Sequence, residues 1–447
     1  MYVIVVGMGQ VGRHVVRELE QDGHDVVAID SDARSIEEIE DEQDVGTLVG
    51  YGSSPDILKQ AGAHKAELLV AVTNDDEVNL VAALAGRDMG CKRTIGRVQG
   101  AAYSSSDEGI HYGMLGIDVV INPRILVAQE VAKIARSRGA IEVLGLAGNR
   151  VEMIQVELPA NSRMLHKSLA NLSLPRDVLI GAVVREGELF VPGGADVLLA
   201  GDRIYLLGHA GRMDEIEDSF GSGREAARVC IIGGGVIGSA LARLLSAADV
   251  EVMLVEKDRD KAEVLADELA EVTVIHGDGT DIHLLEDEQV GAFDLFAAVT
   301  SEDEVNLMAG LLAKRIGVQR TISIAQRPDY AEIYHQLGID IVLSPRTVAS
   351  EHILRYVRRS EVQSLTLLEH GQAEVLELSA REGSRIVGTP LKRLNMPRGA
   401  LLASVVSKDK VRIPRGDDQI QAGDTVVVVA TAAARTAVER LFRKRVL

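Results

Sequence analysis

The chain begins with the apolar run Tyr2-Val3-Ile4-Val5-Val6, which stops at Gly7. Further Val/Ile/Leu-rich runs follow, among them Asp25–Ile29, Leu68–Val72 and Asp118–Ile121. Between them lie longer stretches with apolar residues every three or four positions, such as Val11–Gln21 and Glu77–Arg87. Short β-branched runs predict buried strands, and the spaced stretches predict amphipathic helices. Strand and helix in strict alternation imply a parallel sheet with helices wound on both faces, the α/β class.

The same pattern is written a second time. Gly7-Met8-Gly9-Gln10-Val11-Gly12 reappears as Gly233-Gly234-Gly235-Val236-Ile237-Gly238, and Ala71–Leu80 reappears as Ala298–Leu307 with eight of ten positions identical. Gly116-Ile117-Asp118 and Pro123-Arg124 match Gly338-Ile339-Asp340 and Pro345-Arg346. Past these units the repetition continues, since Pro192 through Gly201-Asp202 matches Pro414 through Gly423-Asp424. Each half is therefore expected to hold a larger α/β domain (1–137 and 226–358) followed by a small α+β module (140–219 and 360–447). Ser219-Phe220-Gly221-Ser222-Gly223-Arg224-Glu225 reads as the link between halves.

Composition narrows the picture. Aromatics are only 3% and Trp is absent, so cores of this 46% hydrophobic chain must be built from Val, Ile, Leu and Ala. The net charge of −19 disfavours nucleic acid and anionic lipid as partners unless a basic patch is concentrated somewhere. The one basic cluster, Arg440, Arg443, Lys444 and Arg445, reads as a solvated last helical turn. Two distant cysteines, Cys91 and Cys230, supply no disulfide framework. The start of the chain has no pattern of a cleaved leader, and the longest uncharged apolar stretch, Val229–Ala242, is too short for the ~20 residues of a membrane span.

The glycines carry the candidate chemistry. A lone G-x-G-x-x-G is a weak signal, but each copy here follows a strand, opens a helix and is trailed, 18 residues after its last glycine, by an acidic strand end: Asp30 and Glu256. That is the dinucleotide-binding fingerprint of Rossmann-like sheets, found twice. Gly7 and Gly233 serve the tight turn, Gly9 and Gly235 let backbone approach a pyrophosphate, and Gly12 and Gly238 let the helix pack closely. The helix starts, Met8, Gln10, Val11 and Val236, Ile237, present backbone N–H groups to phosphates. Asp30, with Ser31 beside it, and Glu256 would read ribose hydroxyls and repel a 2′-phosphate, which favours NAD(H) or adenine nucleotides over NADP. Asp278, Gly279 and Thr280 follow the third strand of the second copy, where the first has Tyr51 and Gly52. Thr73, Asn74, Asp75 and Glu77 follow the fourth strand, as does Thr300 in the second copy. The acidic run there also suits a helix N-terminus. Arg97 follows the fifth strand where the second copy has Ile324, so the first crevice is expected to grip phosphates more firmly, with NAD(H) and ATP or ADP competing for it.

With those motifs in hand, the chain resembles the tandem-RCK regulatory subunits of Trk-type potassium-uptake systems, over nearly its whole length. The resemblance implies NAD(H) and ATP or ADP as ligands and a homo-oligomer, a tetramer of paired RCK units. It also implies a cytoplasmic protein docked peripherally on a potassium-translocating membrane subunit. The chain departs from the family pattern after Arg97. Gln99-Gly100-Ala101-Ala102-Tyr103 stands where a second Arg and an Asn-Pro-x-Tyr stretch are usual, and the polar insertion Ser104–Gly109 predicts an added loop near the first crevice. A rival reading is an NAD-dependent dehydrogenase, which needs an acid–base group beside the nicotinamide. Its candidates, His166, Lys167, His209, His370 and Lys392, are scattered and pair with no carboxylate in sequence. His276, Asp281 and His283 straddle a strand end and a helix start, a poor frame for a metal. Regulator is therefore the expectation, and enzyme the alternative.

Overall fold

The computed structural model describes residues 1–100, 103, 116–136, 141–148, 150–160, 162–172, 174, 178–210, 227–327, 329–357, 364–408 and 410–443. The link 219–225, the insertion 104–109, Ala101, Ala102, Lys444, Arg445 and the His370 side chain lie outside that set.

The first sheet takes its strands from β1 (Tyr2–Val6), β2 (Asp25–Asp30), β3 (Gly46–Val49), β4 (Leu68–Ala71), β5 (Thr94–Arg97) and β6 (Val119–Ile121). They run parallel in the order β3-β2-β1-β4-β5-β6. Chain direction across the sheet reverses between β1 and β4, and at such a switch point the loops leaving the strand ends part to form a crevice. Helices α1 (Gln10–Gln21), α2 (Ala33–Glu42), α3 (Pro55–Gln60), α4 (Asp76–Asp88) and α5 (Pro123–Arg136) connect the strands. Val11, Val15, Val16 and Leu19 form the buried stripe of α1, at the three- and four-residue spacing of an amphipathic helix.

The first small module is an antiparallel sheet of β7 (Glu142–Leu146), β8 (Val151–Glu157), β9 (Val178–Arg185), β10 (Glu188–Phe190) and β11 (Arg203–His209), in the order β10-β9-β11-β8-β7. The second half repeats both parts. Its parallel sheet has β12 (Arg228–Ile232), β13 (Glu251–Glu256), β14 (Thr273–His276), β15 (Leu295–Ala298), β16 (Arg320–Ile324) and β17 (Ile341–Leu343), in the order β14-β13-β12-β15-β16-β17. Its described helices are α6 (Val236–Ser246), α7 (Arg259–Glu268), α8 (Ile282–Asp287), α9 (Asp303–Arg315), α10 (Tyr330–Leu337) and α11 (Pro345–Val357). The second small module has β18 (Ser364–Leu368), β19 (Ala373–Ser379), β20 (Ala400–Ser407), β21 (Lys410–Arg412) and β22 (Thr425–Thr431), with α12 (Arg435–Phe442) at its end. The two doubly wound sheets confirm the expected fold class.

Like parts associate with like. Residues 1–132 and 227–357 form one compact unit, and residues 133–226 and 358–447 the other. In the first unit the cause is an exchanged helix. Ala349, Ile353, Leu354 and Val357 of α11, which belongs to the second copy, pack into the core formed by β1, β2, α1 and α2 of the first. In the second unit the two antiparallel sheets share one core, where Met153, Tyr205 and Leu207 meet Val375, Val427 and Val429. Hydrogen bonds from Gln155 and Arg203 to Glu369 add to that junction. The repeated Gly-Asp pair also has a structural explanation. Gly201 and Gly423 adopt positive φ, and the following Asp202 and Asp424 are buried and accept from Leu199 N and Gln421 N.

The exchange makes a stability prediction. Ile353 is fully buried in the first sheet's core although it lies in the second copy. Ile353→Ala should cost about 2–5 kcal/mol, measured as a fall in the denaturant midpoint of the full chain. An unchanged midpoint would mean that α11 does not seal that core.

Candidate nucleotide sites

The glycine turns are built alike in both copies. Gly7 and Gly233 take φ of +98° and +97°, a conformation open to glycine and strained for other residues. A Cβ on Gly12 or Gly238 would collide with the carbonyl oxygen of Gly7 or Gly233. The close approach expected of the third glycine is thus to the turn that ends the strand, not to the strand body. At Gly9 and Gly235 a Cβ would meet nothing within 4 Å, so these backbones face open space at the start of a helix. Free N–H groups, a helix N-terminus and room in front of them are the donor set that a phosphate needs.

Each turn is tied to the acidic strand end. Asp30 Oδ2 accepts from Met8 N at 2.5 Å and its Oδ1 from Asp32 N at 2.9 Å. In the second copy Glu256 Oε2 accepts from Gly234 N and Oε1 from Asp258 N, at 2.9 and 3.0 Å. Lys261 forms an ion pair with Glu256 at 2.8 Å. Burial pushes the Glu256 carboxyl up, but the Asp258, Lys261 and Gly234 donors outweigh it and hold the group below its ordinary range.

Across the crevice, Thr73 and Thr300 are locked by two residues to which the sequence motifs assign no role. Asn79 Oδ1 accepts from Thr73 N and Oγ1, while Asn79 Nδ2 donates to the carbonyls of Thr73 and Arg97. Asn306 repeats all four bonds with Thr300 and Ile324. Both asparagines are fully buried, and their identity in the two copies is the sequence signal that marks them. The acidic run divides its labour: Asp75 caps α4 by accepting from Val78 N, and Asp76 accepts from Gln99 N and Gly100 N.

Around the first turn is a cavity of about 730 Å³, lined by Gly7, Gly9, Asp30, Ser31, Tyr51, Gly52, Thr73, Asn74, Asp75 and Glu77 among others. Met8 and Val11 do not line it, because their side chains are buried in the core. Gln10 and Gly12 are also outside the lining; the Met8 N–H is taken by Asp30, and the Gln10 side chain accepts from Arg346. Around the second turn is a larger cavity of about 940 Å³ that includes Gly233, Gly235, Val236, Ile237, Glu256, Asp278, Gly279, Thr280 and Thr300. Gly238, packed beneath the turn, is not part of it. Asp278 pairs with Lys257 at 2.8 Å and accepts from Thr280, so its carboxyl is held down at about 2.

Arg97 is the principal correction. It is the last residue of β5 and lines the cavity of the second copy, not that of the first. Asn74 and Gln99 reach that cavity too, and so do Pro123 and Arg124. The second cavity is therefore walled by both copies. Arg124 and Arg346, each beside a repeated proline at the start of a long helix, are visible in the sequence as repeats without an assigned role. Neither lining includes His166, Lys167, His209 or Lys392. Among the described residues no His, Cys, Asp and Glu side chains cluster as metal ligands, and Asp281 instead caps α8. No described helix is long and apolar enough to cross a membrane.

The model of the TrkA-N domain matches residues 3–123 and 229–345, and that of the TrkA-C domain matches 153–221 and 375–443. The chain belongs to the TrkA family. It is 35% identical to Trk system potassium uptake protein TrkA homolog 1 of Methanosarcina mazei, covering 99% of this chain and all of that one. A TrkA homolog of Archaeoglobus fulgidus is 34% identical, again over 99% of this chain and the whole of the relative. TrkA of Halomonas elongata is 31% identical over 99% of both. Among solved structures, the GsuK channel superposes with a TM-score of 0.64 at 17% identity, over 98% of this chain and 78% of that one. That likeness is one of fold. Within the TrkA framework, the repeated N and C domains account for the doubled sheets and the doubled modules described above.

The Glu256 tie predicts a pH dependence. A carboxyl held below its unfolded value of about 4.3 contributes stability that is present above that value and lost as pH falls through the folded one. Glu256→Gln should therefore lower the thermal midpoint at pH 7, and the gap to the native chain should narrow as pH falls below about 4.3. A gap that stays constant across that range would remove the charge from the account of the turn.

Proposed function

We propose that this TrkA-family chain is the nucleotide-sensing regulatory subunit of a Trk-type potassium-uptake system and performs no catalysis of its own. The observation that carries the reading is the pair of glycine-floored crevices at sheet switch points, each lined by a carboxylate from the neighbouring strand end that is tied to the turn. NAD(H) and ATP or ADP are the ligands that fit, since a carboxylate there accepts from two free hydroxyls and repels a 2′-phosphate. The Trk names of the full-length relatives support the potassium partner, and a GsuK channel structure of the same fold, at a TM-score of 0.62, is described as bound to NAD. The chain acts at the cytoplasmic face of the inner membrane, as a homotetramer docked on the potassium-translocating subunit. The cofactor-binding set comprises the turn backbones, Asp30, Ser31 and Tyr51 of the first crevice, and Glu256, Asp278 and Thr280 of the second. Thr73 to Glu77 and Thr300 form the opposing walls.

Sensing needs no chemical step. A ligand that binds two arrangements of the paired sheets unequally shifts their populations, and couplings of about 1–3 kcal/mol are usual. The exchanged α11 gives such a shift a path, because it is rooted in one copy and packed in the core of the other.

Two measurements test the proposal. Asp30→Asn keeps an acceptor for the turn but removes the charge, and should weaken NADH about tenfold or more in calorimetric titration of the full chain, since a hydrogen bond to a charged group is worth about 1.5–3 kcal/mol. Potassium flux through a Trk-type membrane subunit in vesicles should respond to nucleotide only when this chain is added. Unaltered NADH affinity, or flux indifferent to the chain, would overturn the reading.

A further inference from the structure

The two crevices, alike in backbone, are opposite in charge. Among described residues the first is lined by four carboxylates, Asp30, Asp75, Asp76 and Glu77, and by no cation. The second is lined by five cations, Arg97, Arg124, Lys257, Lys261 and Arg346, against three carboxylates, Glu256, Asp278 and Glu302. Its two lysines are engaged with Asp278 and Glu256. That leaves three arginines, two from the first copy and one from the second.

These arginines are gathered at a cost. Arg97 is 7% exposed; its Nη2 donates to Thr73 O and Asn74 Oδ1 at 2.8 and 3.1 Å, but its Nε is buried without a hydrogen-bond partner. Burial lowers its pKa; Asp76 opposes this, and repulsion from Arg346 and Arg124 adds to it. Arg346 is positioned from the other side by a hydrogen bond to Gln10, at the start of the first copy's α1. Like charges brought together around a buried guanidinium with a free donor are stabilised by a multivalent anion. Resting on the nucleotide-sensing reading above, we propose that the second cavity is a composite site for a nucleoside di- or triphosphate, whose outer phosphates are held by Arg97, Arg124 and Arg346. The first cavity, with only its helix N-terminus to meet phosphate, takes the dinucleotide. Arg97 thereby serves the opposite copy from the one its sequence position suggests.

Calorimetric titration of the full chain with adenosine, AMP, ADP and ATP, without added divalent metal, tests this. One site should tighten at least tenfold from AMP to ATP. Arg124→Gln combined with Arg346→Gln should erase that increment and change AMP affinity less than twofold; Arg97→Lys should reduce the increment while keeping a buried cation. A merely structural role would weaken AMP and ATP alike. Gly235→Phe places a ring in the second crevice from a position whose Cβ meets nothing, and should abolish the phosphate-dependent site. If Gly9→Phe abolishes it instead, or if the arginine variants keep the full increment, the composite site is overturned while nucleotide sensing stands. No nucleotide binding by the native chain would overturn both.

Discussion

The architecture depends on one close approach, repeated. The helix that follows each first strand starts so near its turn that Gly12 and Gly238 leave no room for a methyl group against the carbonyls of Gly7 and Gly233. That approach points the helix N-terminus at the switch point of the sheet. The carboxylate from the neighbouring strand then has a backbone N–H within reach, and Asp30 and Glu256 bind Met8 N and Gly234 N. Turn, helix dipole and acidic strand end are therefore one device. Where the crevice opens follows from it, because the chain winds from β1 through β2 and β3 on one side and through β4, β5 and β6 on the other.

The second constraint is the exchange of α11. A six-stranded sheet needs both faces covered, and Ala349, Ile353, Leu354 and Val357 cover part of a face that their own copy does not contain. This packing joins the two larger α/β domains more tightly than chain order implies, with a small module and its link lying between them in sequence. It also carries Arg346, at the helix start, to the first copy's glycine turn.

Much of this architecture is legible in the sequence. The β-branched runs, the two fingerprints, and the 18-residue spacing to Asp30 and Glu256 specify the sheet class and the floor of each crevice, since period and turn chemistry are local properties. Asn79 and Asn306 escape such a reading because a buried polar side chain looks like a helical surface residue until its four bonds are seen. Arg97 falls to the wrong crevice for a different reason. Its strand is as expected, but a sequence read one copy at a time contains nothing about which neighbouring copy a strand end faces. Charge placed between domains is a tertiary property, and the repeated Pro-Arg pairs acquire meaning only once both helices start beside one cavity.

Duplication followed by divergence explains why the two sites differ where they do. The turn cannot vary without closing the crevice, so Gly7, Gly9 and Gly12 recur as Gly233, Gly235 and Gly238. The walls are free of that constraint. Tyr51 is 69% exposed at the rim of one cavity where Asp278, neutralised by Lys257, stands in the other. Arg97 at the end of β5 is matched by Ile324 at the end of β16, so the first copy contributes a cation across the boundary and the second does not return it. Two identical crevices could report only one ligand at two occupancies. The repeat thus broke its symmetry in charge while keeping it in backbone, and one chain holds two crevices with a shared floor and unlike walls.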